Sequence, residues 1–236
     1  MYKSLILSSL AWLAINAATA SAQETTTPAV LQFQPPDTDS PTRRVGGHVR
    51  GAGDPLPTVM NLAPIRVGLT IAEHPVLYWY LSGQSDYPME ISLIGGRSVE
   101  PLLEIRIEPP VESGVHAVRL ADYGVALESG QTYEWFVALI SDEEVRSKDV
   151  VSGAAIKRID TSPQLEARLA GAGPQQWTRI YAEEGLWYDL VDTLSEAIRI
   201  APEDTALRAS RANLMEQVSL FSIETYDRQI LESSTN

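Results

Sequence analysis

The chain has no cysteine among its 236 residues. That excludes disulfides, a thiol nucleophile and thiolate metal ligands, so stability has to come from core packing. Histidine is nearly as scarce, at three. Positive charge is also short: 18 Lys and Arg face 31 Asp and Glu, for a net charge of −13. A chain this acidic repels phosphate backbones and anionic bilayers, so no nucleic-acid partner is expected. The one basic group near the start of the folded part, Arg43, Arg44 and Arg50, is read as solvated charge beside glycine-rich turns. Beyond the first two dozen residues no apolar run reaches bilayer-spanning length, so no membrane span is expected in the mature chain.

Met1 to Ala22 has the pattern of a signal peptide. Lys3 is the positive start, Leu5 to Ala18 the short apolar stretch, and Ala20-Ser21-Ala22 the small-residue cleavage site. Cleavage before Gln23 is expected, giving an exported protein, periplasmic or extracellular. No Cys comes after the cleavage site, so no lipid attachment is expected there. Residues 23–42 are rich in Thr, Pro, Gln and Asp and keep to neither hydrophobic period, which predicts a flexible leader. Gly46-Gly47 and Gly51-Ala52-Gly53 come next. With no strand before them and no helix after, they read as turns and not as a phosphate cradle.

The stretch Val67 to Leu81, VGLTIAEHPVLYWYL, organises the folded part of the chain. Val67, Leu69 and Ile71 alternate with Gly68 and Thr70, the period of a half-buried strand. After the corner Ala72-Glu73-His74, every residue from Val76 to Leu81 is apolar or aromatic. A strand apolar on both faces belongs in the middle of a fold, covered twice. Strand-like runs recur at Thr58–Ala63, Val67–Ile71, Val76–Leu81, Met89–Ile94, Leu102–Ile107, Val115–Leu120, Tyr133–Ile140 and Val150–Ile159, separated by turn residues. Such spacing without intervening helices predicts an all-β, immunoglobulin-like antiparallel sandwich over 43–160. Trp79 sits where such a sandwich keeps its core tryptophan. Tyr133 stands as a tyrosine-corner residue, with Trp135 in the place of the second cysteine.

After Asp160 the hydrophobic period changes to 3.6, and residues 161–236 read as a small helical segment. Thr161 to Gln164 has capping-box spacing, Pro174 can start a second helix, and Trp187 to Ile200 is amphipathic. Further helices are expected from about Glu203 to Val218 and from Ile223 to Leu231. Trp177 to Pro202 resembles a tetratricopeptide repeat through Tyr181, Gly185, Leu194, Ala197 and Pro202, although Thr178 and Leu190 fall where small residues are usual. One repeat cannot enclose its own core. These helices are therefore expected to dock on the sandwich, over Tyr78, Tyr80, Phe136 and Ile140.

Several motifs taken together carry a resemblance. They are Arg44-Val-Gly-Gly47, Arg50-Gly51, Gly68-Leu-Thr70, His74-Pro75 with Trp79-Tyr80, Gly130-Gln-Thr-Tyr133-Glu-Trp135, and Tyr181-Ala with Gly185-Leu-Trp-Tyr188-Asp. The chain resembles the domain of unknown function 928 family of exported bacterial proteins. Relatives often carry a Cys just after the Arg-Gly pair, where this chain has Gly53. The resemblance implies export and brings no activity, cofactor or catalytic residue.

The residues themselves offer little chemistry. His48 and His116 have no ligand partners at zinc spacing. Glu73-His74 could form an acid–base couple, but neighbours along a strand point apart, and a structural corner is the favoured reading. No serine elbow is present, Glu104 and Glu108 carry no glycosidase signature, and Asp142-Glu143-Glu144 reads as a solvated turn. The expectation is a non-enzymatic module with no cofactor and no metal, which binds another envelope or secreted protein. A glycan-binding module using the aromatics of the sandwich face is the alternative, and a hydrolase using Glu73 and His74 a weaker one. The candidate interaction surface is Tyr78, Tyr80, Phe136, Glu73, His74, Trp187 and Tyr188.

Overall fold

The computed structural model describes residues 31–36, 56–95 and 100–233. The expected signal peptide, the Arg43, Arg44 and Arg50 group, the glycine pairs before 54 and His48 lie outside the described residues. Among the described residues eight strands come first: β1 (Val59–Asn61), β2 (Gly68–Thr70), β3 (Val76–Leu81), β4 (Met89–Gly95), β5 (Leu103–Ile107), β6 (Gly114–Arg119), β7 (Thr132–Leu139) and β8 (Val150–Arg158). Five helices complete the set: α1 (Pro163–Ala170), α2 (Pro174–Glu183), α3 (Trp187–Ile200), α4 (Thr205–Gln217) and α5 (Phe221–Ser233). Each expected strand run and helix is found within a few residues of its predicted place.

The strands form two sheets, one of three in the order β1-β3-β6 and one of five in the order β2-β8-β7-β4-β5. One pairing departs from the antiparallel expectation: β2 lies parallel to β8, with Gly68–Thr70 beside Ile156–Arg158. Local periodicity gives a strand's faces and not its direction beside a partner almost ninety residues away, so the pattern carries no sign of this pairing.

Strand β3 sits between β1 and β6, and all six of its residues are buried. Leu77, Trp79 and Leu81 alternate with Tyr78 and Tyr80, so the two sets face opposite sides. Trp79 lies opposite Asn61, whose side-chain amide donates to the Trp135 carbonyl of the other sheet at 3.2 Å. That side is therefore the inter-sheet core. The other side is covered by helix: Tyr78 reaches α3, and Tyr80 packs on Tyr226 of α5 with ring centroids 5.3 Å apart. One continuous buried cluster includes Trp79, Trp135, Trp187, Leu190, Met215 and Ile223, so sheets and helices share a core. Helices α3 and α5 thus lie over Tyr78 and Tyr80 of β3, while Phe136, expected in the same docking face, belongs to the other sheet.

Local chemistry accounts for the helix ends. Ser162 caps α1, its hydroxyl accepting from the Leu165 amide at 3.2 Å, one residue later than the Thr161 spacing predicts. Asp204 caps α4 by accepting from the amides of Ala206 and Leu207. Arg211 of α4 and Asp227 of α5, both buried, form a two-pronged ion pair at 2.7 and 2.6 Å, and Arg211 also donates to Ser195 of α3.

Residues 31–36 correct the expectation of a wholly flexible leader. They lie extended against the helices, with Leu31, Phe33 and Pro36 partly buried and Gln32, Gln34 and Pro35 outward.

Candidate functional site

Four of the seven residues expected on an interaction surface are interior. Tyr78 is 6% exposed, Tyr80 7%, Trp187 0% and Tyr188 2%. The cause is helix docking, which turns an apolar sheet face and an apolar helix stripe into one interface. Phe136 is half-buried in the other sheet, its ring across Gly153 of β8, so it does not join Tyr78 and Tyr80. Glu73 and His74 are exposed and engaged separately. His74 Nδ1 is 2.7 Å from the Val125 carbonyl, and the Glu73 carboxylate lies 3.8 Å from Arg158. Each is thus held by a different partner. His116 stacks on Trp79 at 4.3 Å, with Nε2 2.8 Å from the Glu112 carbonyl. Among the described residues no cluster of three His, Cys, Asp or Glu could hold a metal.

The motifs Gly68-Leu-Thr70, Trp135 and Gly185-Leu-Trp-Tyr188-Asp meet at the junction of α3 with both sheets. A Cβ on Gly68 would stand 2.6 Å from the Tyr188 ring, so glycine there makes the slot that the ring fills. The Tyr188 hydroxyl accepts from Trp135 Nε1 at 2.9 Å and donates to the Ala155 carbonyl at 3.1 Å. Trp187 Nε1 donates to the Leu62 carbonyl at 2.8 Å. Asp189, next along α3, accepts from the Ile71 amide at 3.2 Å and bonds the Thr70 side chain. Burial pushes its pKa up to about 7 against the pull of these hydrogen bonds. These motifs build an interface within the chain, and their polar groups are consumed by it.

A further surface is formed by α2, α3 and α4 together with residues 31–36. The segment 31–36 acts as a strap there. The Gln217 side chain grips its backbone twice, accepting from the Phe33 amide at 2.9 Å and donating to the Leu31 carbonyl at 2.8 Å. The Gln34 amide donates to the Ala182 carbonyl at 3.0 Å, and the Phe33 ring meets Trp187 edge-on at 4.9 Å. Gly185, at φ +70°, is where the strap crosses the α2–α3 turn. A Cβ there would stand 2.7 Å from the Gln34 carbonyl and 2.9 Å from Pro36.

Beside the strap runs an open groove of about 840 Å³, walled by Leu31, Gln32 and Gln34 and by residues of α2, α3 and α4. Trp177, Leu194, Ala197, Ile200 and Leu207 supply its apolar surface, and Ile200 is 70% exposed. Asp192 lines it too, accepting from the Tyr78 hydroxyl at 2.8 Å. Burial, followed by the neighbouring carboxylates, raises the Tyr78 pKa, and burial raises that of Asp192. Sequence reasoning missed the strap, Gln217 and Asp192. The available signal was the alternation of Leu31 and Phe33 with Gln32 and Gln34 inside a stretch read as leader.

No curated protein is significantly similar to the chain. Among solved structures, an engineered protein determined at 1.98 Å by the Northeast Structural Genomics Consortium aligns with 45% of this chain and 21% of its own, at 9% identity and a TM-score of 0.29. Likeness at that level carries no argument. The family comparison does: a profile match covers residues 45–227, from before β1 into α5. The chain belongs to the family described as Domain of Unknown Function (DUF928).

Proposed function

We propose that the protein is an exported, non-enzymatic interaction module of the bacterial envelope, which binds another envelope or secreted protein through its helical face. The observation that carries this reading is the strap. A six-residue extended segment is held on the helices by backbone hydrogen bonds and an aromatic anchor, and an open apolar groove lies alongside. Extended segments held in that way are a recurring mode of peptide recognition. The glycan alternative loses its main support, because Tyr78 and Tyr80 are buried under α3 and α5 and offer no stacking platform.

The finer architecture belongs to the same proposal. The sheets are read as an immunoglobulin-like sandwich, supported by the bond from the Glu128 amide to the Tyr133 hydroxyl at 2.9 Å and by the buried Trp79 and Trp135. The α2–α3 pair is read as tetratricopeptide-like, supported by Gly185 at the turn between them.

Immobilised mature protein, exposed to the exported fraction of its host and to a glycan array, tests the function. The expected result is a protein retained by the wild type and lost with Ile200→Glu. Retention of glycans and of no protein would replace this reading with the carbohydrate one.

A further inference from the structure

The groove beside the strap contains three carboxylates, and they are not equivalent. Glu183 is ion-paired with Arg168 and Arg179, and Glu196 with Arg119 and Arg199. Asp192 has the Tyr78 hydroxyl on Oδ1, and among the described residues no ion pair reaches it. It stands half-buried with apolar Leu194, Ala197 and Ile200 along the same groove. A carboxylate in that position has lost part of its hydration and gained no direct ion pair, so a ligand cation would recover what burial costs it.

We infer that this groove binds an extended peptide of a partner protein that carries one Lys or Arg among aliphatic residues, its cationic head on Asp192 and its aliphatic neighbours on Ile200 and Ala197. The inference rests on the interaction-module reading and deepens it by naming the partner's chemistry. The strap supplies continuity, since its chain already runs extended along the groove's edge. Charge supplies direction: at −13 overall, the chain attracts a basic segment and repels an acidic one. Burial holds the Asp192 pKa above the usual carboxylate range, and Arg119, the cation that opposes this shift, is already paired with Glu196.

A random dodecapeptide library displayed on phage and selected on the mature protein tests this. Enriched peptides should carry a single Lys or Arg flanked by aliphatic residues. A synthetic copy of the best one should bind at least tenfold more weakly to Asp192→Asn, which keeps an acceptor for Tyr78, and to Ile200→Glu, which alters an exposed side chain. Replacing the peptide's basic residue by Glu should abolish binding. Enrichment without a basic residue, equal binding by Asp192→Asn, or no enrichment at all would overturn the proposal. So would binding that appears only in protein beginning at Leu31, because residues 23–30 would then be the groove's occupant. A host protein captured equally by wild type and Asp192→Asn would overturn the peptide chemistry while leaving the interaction module standing.

Discussion

Asp189 is the residue where the junction's chemistry can be read from outside. Its ordinary pKa in an unfolded chain is about 4, and in the fold burial lifts it to about 7. Between those values the native state keeps a proton that the unfolded state has released, so the group's contribution is complete below about pH 4 and falls as pH rises towards 7. Over that interval the loss amounts to roughly 4 kcal/mol at most. Asp142 and Glu196 slope the other way, since hydrogen bonds from Lys148 and Arg199 lower their pKa values. A difference measurement isolates Asp189. Asp189→Asn keeps an oxygen for the Ile71 amide and cannot ionise. Urea titrations at pH 4 should find it close to the wild type, and at pH 8 more stable. Equal stability at both pH values would place the ionisation elsewhere.

Helices α3, α4 and α5 are joined by a buried charge pair as well as by apolar packing. Arg211 is 4% exposed and Asp227 0%, and the guanidinium also reaches Ser195. Removing Arg211 leaves the buried Asp227 carboxylate with only the longer contact to Arg208 at 3.7 Å and without its two-pronged partner, a change that costs up to about 3–5 kcal/mol. Arg211→Met should therefore destabilise strongly in denaturant titration. The double variant Arg211→Met with Asp227→Leu should recover part of the loss, because the only charge it leaves unpaired is Arg208, 3.7 Å from Asp227 in the fold and partly exposed. If the double variant were as unstable as the single one, packing around the arginine stem would be the larger contribution. The pair also holds α5 where Tyr226 covers Tyr80, so its loss should loosen one edge of the helix–sheet interface.

For the whole molecule, the shared core decides the unfolding behaviour. Tyr78 and Tyr80 on β3 are apolar surface without α3 and α5, and the Gly68 slot is empty without Tyr188. A chain ending at Ser162 would expose all of this, a patch larger than a soluble monomer usually shows. The intact protein should unfold in one calorimetric transition. The truncated chain should lose that transition or melt at least about 10 °C lower, given that each kcal/mol is worth about 2–4 °C in a domain of this size. An unchanged melting temperature would make the two sheets self-sufficient and the helices an appendage.

The sequence by itself determined the local structure. Alternation in runs such as Met89–Ile94 and a 3.6 period from Pro163 onward are properties of neighbouring residues, so strands and helices are legible in order. It also marked β3 as central, because Val76 to Leu81 has no polar face to give to water. Only the tertiary structure decided what each apolar face meets. In the sequence Tyr78 and Tyr80 read as a floor for helices or, less favoured, as a binding platform, since their chemistry is the same in both places; in the structure Asp192 and Tyr226 meet them. Direction beside a distant partner, as for β2 against β8, depends on topology and leaves no local trace. For the strap, the alternation of Leu31 and Phe33 with Gln32 and Gln34 hints at a half-buried segment, but its partner is not legible: Gln217 grips the backbone of Leu31 and Phe33 across more than 180 residues, and a backbone contact leaves no pattern in the side chains it joins.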